Sequence, residues 1–314
     1  MKEQGLYYPD GSFRTDKDIK KKIAREDLPL FETPLAERKS FTDYWSPRFI
    51  QRQEEYQSAQ EQTTNHVTIS FPDSILLNFI GDTHVGGDCD YRRLEQEVRS
   101  IIETPNSYVM VLGDLIDGFF FNEAQMAEIE QAPEQIKYVR SLLSYLGENH
   151  KLLIGWKGDH DRWHDKMGHS MYSDFAEFTH AYLMKGVGYA TLKVGSQEYK
   201  LTGAHRLPGS SIYNKNHPQK RALVFGGAYG SDIVVSAHNH QKGYSIETLT
   251  GFGNEEHKVH QIALGAYKCQ DDYSQKLGFA KQTPSQLFGS SVRLDSQEHS
   301  IRYWDDVLQA HREF

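Results

Sequence analysis

The 314-residue sequence predicts an α/β layered fold on three observations. Short apolar runs recur, and each closes on a polar residue able to bind a ligand. Segments with apolar residues at three- and four-residue spacing lie between them, as amphipathic helices require. A hydrophobic content of 38% is enough to fill the core between such layers. Strands alternating with helices indicate layered sheets, and in such folds ligands collect at the carboxyl ends of the strands.

Taken in order, residues 1 to 70 read as a polar, helical appendage. A basic cluster at Lys17, Lys20, Lys21, Lys22 and Arg25 precedes the Gln/Glu-rich stretch QRQEEYQSAQEQ. The cluster reads first as a solvated helix face and second as a contact for a phosphate backbone. Residues 71–314 form the expected main domain. In it SILLNFIGD, YVMVLGD and KLLIGWKGD are apolar runs closing on Gly-Asp, and KLTGAH and DIVVSAH close on histidine. The helix-like segments are YRRLEQEVRSIIE, EQIKYVRSLLSYLGE and MYSDFAEFTHAYLM. After His240 the chain reads as β-rich and ends in SSVRLDSQEHSIRYWDD, two alternating runs about a polar turn that predict a hairpin.

Composition narrows the function classes. A net charge of -8 argues against a protein that grips nucleic acid through a broad basic surface, although divalent cations at a site would offset part of it. The two cysteines, Cys89 and Cys269, have no CxxC partner, so neither a disulfide framework nor a zinc-thiolate site is expected. No apolar run approaches the roughly 20 residues of a membrane span, and MKEQGLYYPDGSF lacks the apolar stretch of a secretory signal. A soluble protein of the reduced cytoplasmic interior is expected, with no membrane partner; the sequence does not fix an oligomeric state.

The polar residues that close the strands share one chemistry. Asp82 and His84 lie two apart in GDTH, a spacing that lets two side chains at a strand end converge on one ion. Asp114 in GDLID is a candidate bridging carboxylate, GDHD supplies Asp159 and His160, GAHR supplies His205, and AHNH supplies His238 and His240. Singly, each histidine reads as structural. Jointly they read as a metal site, because buried carboxylates and imidazoles need partners. Mixed carboxylate and imidazole ligation suits Mn, Zn, Fe or Ni.

This series resembles the calcineurin-like metallophosphoesterase superfamily, whose signature runs DxH, GD, GNH(D/E), H, GHxH in that order, over about residues 75 to 243. The resemblance implies a four-layer α/β/β/α sandwich and two divalent ions, Mn first, with Zn, Fe, Ni or Mg as alternatives. It assigns Asp82, His84 and His240 to one metal, Asp159, His205 and His238 to the other, and Asp114 to the bridge; His160 would face the substrate. Two positions depart from the signature: Ala237 replaces the Gly of GHxH, and Asp159 replaces the Asn of GNHD. An Asp there adds a negative charge and favours a phosphodiester over a phosphate dianion.

A two-metal site lowers the pKa of a bridging water, so the expected nucleophile is hydroxide. His160 would protonate the leaving oxygen or stabilise the transition state, with Asp161 orienting the imidazole or capping a turn. Asp117 reads equally as support for a ligand or as a helix cap. The segment RLPGSSIYNKNHPQKR is an expected loop near the metals, and Arg206, Ser210, Asn214 and His217 are its candidate substrate contacts, with Ser211 and Arg221 beside them. It is similar, more weakly, to the corresponding stretch of phage-encoded members of the superfamily. Phe119, Phe120 and Phe121 read as cap packing first and base stacking second.

GDTHVGG and GDLID are similar to the nuclease branch, whereas the protein phosphatases continue as GDxVDRG and GNHE, unlike GDLIDGFF and GDHD here. The expected function is a phosphodiesterase of nuclease type, acting on DNA or RNA. The alternatives are a phosphomonoesterase of nucleotides or phosphoproteins and a non-enzymatic metal-binding scaffold.

Overall fold

The computed structural model describes residues 50–51, 65–118, 131–166, 179–211, 213–250, 254–269, 278 and 283–314. Packing separates the chain into Met1–Gln60 and Glu61–Phe314, and every described residue but Ile50 and Gln51 lies in the second unit. The expected appendage therefore falls outside the described residues apart from residues 50–51 and 65–70.

In chain order the elements are β1 (His66–Phe71), β2 (Ile75–Ile80), α1 (Tyr91–Glu103), β3 (Ser107–Val111), α2 (Ala132–Glu148), β4 (Leu152–Trp156), α3 (Asp159–Lys166), β5 (Tyr182–Met184), β6 (Gly188–Val194), β7 (Gln197–Ala204), α4 (His217–Phe225), β8 (Ile233–Ser236), β9 (Gly243–Thr250), β10 (Glu256–Ala263), β11 (Ser290–Leu294), β12 (Ile301–Trp304) and α5 (Val307–Glu313). They form two six-stranded mixed sheets, ordered β12-β11-β2-β3-β4-β5 and β1-β6-β7-β8-β10-β9. All five apolar runs that close on Asp or His are strands. β2, β3 and β4 lie side by side and parallel in the first sheet, and β7 and β8 do so in the second.

The sheets pack on each other through their facing apolar rows. Leu77, Phe79, Met110, Leu112, Ile154 and Trp156 meet Leu192, Leu201, Ile233, Val235 and Ile262 in one buried cluster. Helices cover the outer faces. α1 buries Leu94, Val98 and Ile101 at helical spacing, and α2 buries Val139, Leu143 and Leu146, both against Val109, Val111 and Leu152. α4 buries Ala222 and Leu223 against Ala204, Val234 and Val259 of the second sheet. With both faces covered, β2 and β8 are buried at every position, which is why they read as continuous apolar runs rather than alternating ones. The Trp156 ring packs against Gly203 of the opposite sheet, where a Cβ would stand 2.6 Å from the indole. The Gly of KLTGAH is thus fixed by packing between layers.

Two segments differ from the sequence reading. HVTISF, placed in the appendage, is β1 and pairs in parallel with β6, so the sheet already begins at His66. MYSDFAEFTHAYLM reads as one helix, but its last three residues are β5, paired in parallel with β4, while 171–178 lie outside the described residues. Three residues are too few to show a two-residue period, and pairing along the open edge of β4 decides their conformation. The expected hairpin is present as β11 and β12. Among the described residues no helix is long and apolar enough to cross a membrane.

Candidate metal centre

The loops that leave β2, β3, β4, β7 and β8 meet at the carboxyl ends of these strands. Asp82, His84, Asp114, His238 and His240 all hold φ between +46° and +72°, a left-handed conformation that non-glycine residues rarely adopt. Such backbone persists where the surroundings over-determine it. Here the loops are cross-tied: the Asp82 N–H donates to the Gly113 carbonyl (2.9 Å), the His84 N–H to the Asp114 carbonyl (3.1 Å) and the Ala237 N–H to the His205 carbonyl (3.0 Å). The glycines of the second and third Gly-Asp pairs let two of these loops touch. A Cβ on Gly158 would lie 2.1 Å from the Asp114 nitrogen, and one on Gly113 would lie 2.3 Å from the Gly158 nitrogen.

Three groups of candidate ligands result among the described residues, one of them His84 with Asp117 and His160, and the other two made of the residues that the signature assigns to metals. In the first of those two, one ligand atom each from Asp82, His84 and His240 lies within 4.8 Å of the others. His84 Nε2 is 3.0 Å from His240 Nε2, which is 3.8 Å from Asp82 Oδ1. The second group joins Asp114, His205 and His238 within the same limit. His84 Nδ1 donates to Asp117 Oδ1 (2.9 Å) and His205 Nδ1 to the Leu112 carbonyl (2.7 Å). Both partners are acceptors, so each ring keeps a proton on Nδ1 and turns its Nε2 toward the centre.

The donor set fits divalent cations. Asp82 Oδ1 is buried without any hydrogen-bond partner, a costly state that a bound cation relieves, and His205 Nε2 meets Asp114 Oδ2 at 3.1 Å. Oxygen and imidazole donors without thiolate suit first-row transition ions.

The electrostatics agree. Burial pushes the Asp82 carboxyl up to about 8 in spite of the nearby His205. For Asp114 burial also opposes ionisation, but the hydrogen bond and charge of His205 outweigh it and hold the carboxyl below its usual range. Burial would lower His205 as well; Asp114 and Asp82 outweigh that and raise it to about 9. Burial lowers His84 and, further, His240, which keeps both imidazoles neutral and ready to ligate.

Asp159, given to the second metal by the sequence pattern, stands at the rim. Its Oδ2 is 3.6 Å from both His238 Nδ1 and Arg206 Nη1, its Oδ1 is 3.8 Å from Arg162 Nη1, and its side chain is one-third exposed. It lies outside the tight Asp114–His205–His238 group. His160 lies in the centre: its N–H donates to Asp114 Oδ1 (2.8 Å), its ring stands edge-on to His84 at 4.7 Å, and Trp163 packs 4.3 Å away.

Asp161 takes the second of its two expected roles, capping a turn through the Gly158 N–H, and extends it to a second loop. Its fully buried carboxylate accepts N–H groups from Asp114 (2.9 Å), Leu115 (3.0 Å) and Gly158 (2.8 Å), tying the second and third loops together. The group set against His160 Nδ1 is the Asp117 carbonyl. Asp117 emerges as a support for His84, and it also receives Lys268 Nζ at 2.9 Å.

Lys268 and Tyr267 escaped the sequence reading. The Tyr267 N–H donates to the Asp82 carbonyl (2.9 Å), and its own carbonyl receives the Asp90 N–H. The available signal was a sixth apolar run, VHQIALGA, followed at once by Tyr267 and Lys268.

Of the expected substrate contacts, Arg206 meets the centre through Asp159. Ser210 is exposed; the Asn214 carbonyl accepts the His217 N–H (3.1 Å) and Asn214 Oδ1 accepts the Asn216 N–H (3.0 Å), so Asn214 and His217 build the first turn of α4. Phe119, Phe120 and Phe121 lie outside the described residues.

Two face-to-face sheets with paired Asp/His groups at their strand ends define a metal-dependent phosphoesterase. The chain belongs to the calcineurin-like phosphoesterase family, whose model matches residues 76–242. Among solved structures it is similar to a conserved uncharacterized protein (predicted phosphoesterase) from Streptococcus pneumoniae TIGR4, at 12% identity over 73% of this chain and 88% of that one, with a TM-score of 0.34. It is also similar to a metallophosphoesterase from Sphaerobacter thermophilus, at 15% identity over 73% and 87% of the two chains, with a TM-score of 0.36. No curated protein matches the chain in sequence.

Proposed function

We propose that this phosphoester hydrolase is a phosphodiesterase of nuclease type with two divalent ions, manganese first, and that its substrate is DNA or RNA. The observation that carries the diester reading is Asp159, a carboxylate 3.6 Å from His238 where the family signature has a neutral Asn. A phosphomonoester dianion meets that extra charge with two negative charges and a diester with one, so Coulomb repulsion favours the diester. Arg206 offsets Asp159 only in part, since its side chain is 64% exposed and its field is screened.

Asp82, His84 and His240 would hold one ion and Asp114, His205 and His238 the other, with Asp159 reaching in from the rim. When bound, the ions supply an activated water and charge stabilisation for in-line displacement at phosphorus. Asp117 and the Leu112 carbonyl fix the tautomers of His84 and His205 in advance. With Nδ1 of His160 against the Asp117 carbonyl, Nε2 is the atom that delivers a proton to the leaving oxygen.

The test is hydrolysis of bis-p-nitrophenyl phosphate and p-nitrophenyl phosphate by the full chain with added manganese. Faster diester turnover is expected. Faster monoester turnover supports the phosphomonoesterase instead, and turnover of neither substrate supports the scaffold.

A further inference from the structure

The connection between β7 and β8 begins at the ligand His205 and carries two features that the metal centre does not use. Residues 206–231 hold four cations, Arg206, Lys215, Lys220 and Arg221, and no carboxylate, in a chain of net charge -8. The same stretch holds the four most exposed large apolar side chains among the described residues: Tyr213 at 94%, Phe225 at 81%, Tyr229 at 74% and Val224 at 55%.

Neither feature follows from packing. α4 needs only Ala222 and Leu223 to cover the second sheet, so Phe225 on its outer side contributes nothing to that core. The loop and the helix share one surface, since a Cβ on Gly209 would lie 3.0 Å from the His217 ring and 3.1 Å from Arg221 Cδ. Arg221 in turn lies over the Phe225 ring at 6.0 Å. Lys220 is paired with Glu247 and Arg206 with Asp159, whereas Lys215 and Arg221 form no ion pair among the described residues. The chain topology gives this surface a direction. It leaves the centre at the carboxyl end of β7, and α4 runs back for about 13 Å toward the start of β8.

We infer that this face is a track for single-stranded nucleic acid leading away from the metal centre, with Lys215 and Arg221 along the phosphates and Tyr213, Phe225 and Tyr229 as stacking faces. Flat aromatic rings interleaved with cations bind single strands without regard to sequence, because every base offers a π-face. A protein partner would be served by the apolar rings alone; Lys215 and Arg221, outside the pairs that Glu247 and Asp159 make with Lys220 and Arg206, add the positive charge that a polyanion needs. The inference rests on the phosphodiesterase reading, and it names a single strand as the form of the substrate.

The experiment measures binding of a short fluorescein-labelled single-stranded oligodeoxynucleotide to the full chain in chelator, where cleavage is stopped, by anisotropy over a range of salt. The variants are the double change Phe225→Ala with Tyr229→Ala, and Arg221→Glu; all three side chains are exposed, and melting temperature serves as the folding control. Affinity is expected to fall roughly tenfold per ring removed, and Arg221→Glu is expected to flatten the salt dependence by nearly one phosphate contact. The ratio of oligonucleotide cleavage to bis-p-nitrophenyl phosphate hydrolysis is expected to fall with affinity. Unchanged affinity in all variants overturns the inference, as does a parent dimer that these changes dissociate while oligonucleotide binding persists. If the parent binds the oligonucleotide as described but hydrolyses no diester, the proposed function fails and the track stands.

Discussion

His84 Nε2 lies 3.0 Å from His240 Nε2, although 156 residues separate them, while His84 Nδ1 is held at 2.9 Å by Asp117. With its proton held on Nδ1 by Asp117, neutral His84 presents an Nε2 lone pair that accepts a hydrogen bond from His240 or binds a cation. The supporting carboxylate is therefore part of the ligand set in effect.

Removing that support without removing a ligand isolates its contribution. Asp117→Asn keeps the shape but weakens the hold on the His84 tautomer and the Lys268 contact. Metal affinity, measured by calorimetric titration, is expected to fall by about 10- to 100-fold. Unchanged affinity would show that the loop alone positions His84.

His160 and Asp114 separate chemistry from metal retention. Replacement of His160 by Ala is expected to lower kcat by roughly 10²- to 10⁴-fold with metal content kept, since the ring serves the leaving group. Asp114→Ala is expected to lose both activity and metal. Equal metal loss in the two variants, measured by elemental analysis after gel filtration, would make His160 a ligand.

Asp159→Asn restores the amide of the family signature. With one charge fewer beside His238, the ratio of monoester to diester turnover should rise severalfold. A constant ratio means that Arg206 and solvent already cancel the carboxylate.

Asp306 caps α5 through the Gln309 N–H (2.7 Å) and pairs with Arg93 at 2.7 Å. Burial opposes its ionisation, but the Gln309 hydrogen bond and Arg93 outweigh it, so the folded-state carboxyl lies below its usual value. Its contribution is thus fully present above the unfolded value near about 3.9 and is lost as pH falls through the lower folded value. Asp306→Ala should destabilise the protein by about 1 kcal/mol at neutral pH, and urea unfolding of variant and parent should converge in acid. A gap that persists in acid would point to packing rather than charge.

The strand ends were legible because covering both faces of β2, β3, β4 and β8 forces near-continuous apolar runs, and β7 is buried over its last four residues, so the polar residue that ends each run stands out. β5 was not, because Tyr182–Met184 owes its conformation to the edge of β4 rather than to its own pattern. HVTISF, at the far edge of the other sheet, was absorbed into the polar stretch before it. Asp161 and Lys268 act through partners 46 and 151 residues away, a proximity that local spacing does not encode. The left-handed backbone at five site residues was equally hidden, since Asp and His announce no positive φ.

The two ligand groups are the centre of the account, and manganese titration of the chelator-treated full chain by calorimetry tests them most directly. Two ions bound per chain, with His240→Ala losing one and His205→Ala losing the other, is the predicted result. Binding of one ion or none by the parent would contradict a two-metal centre.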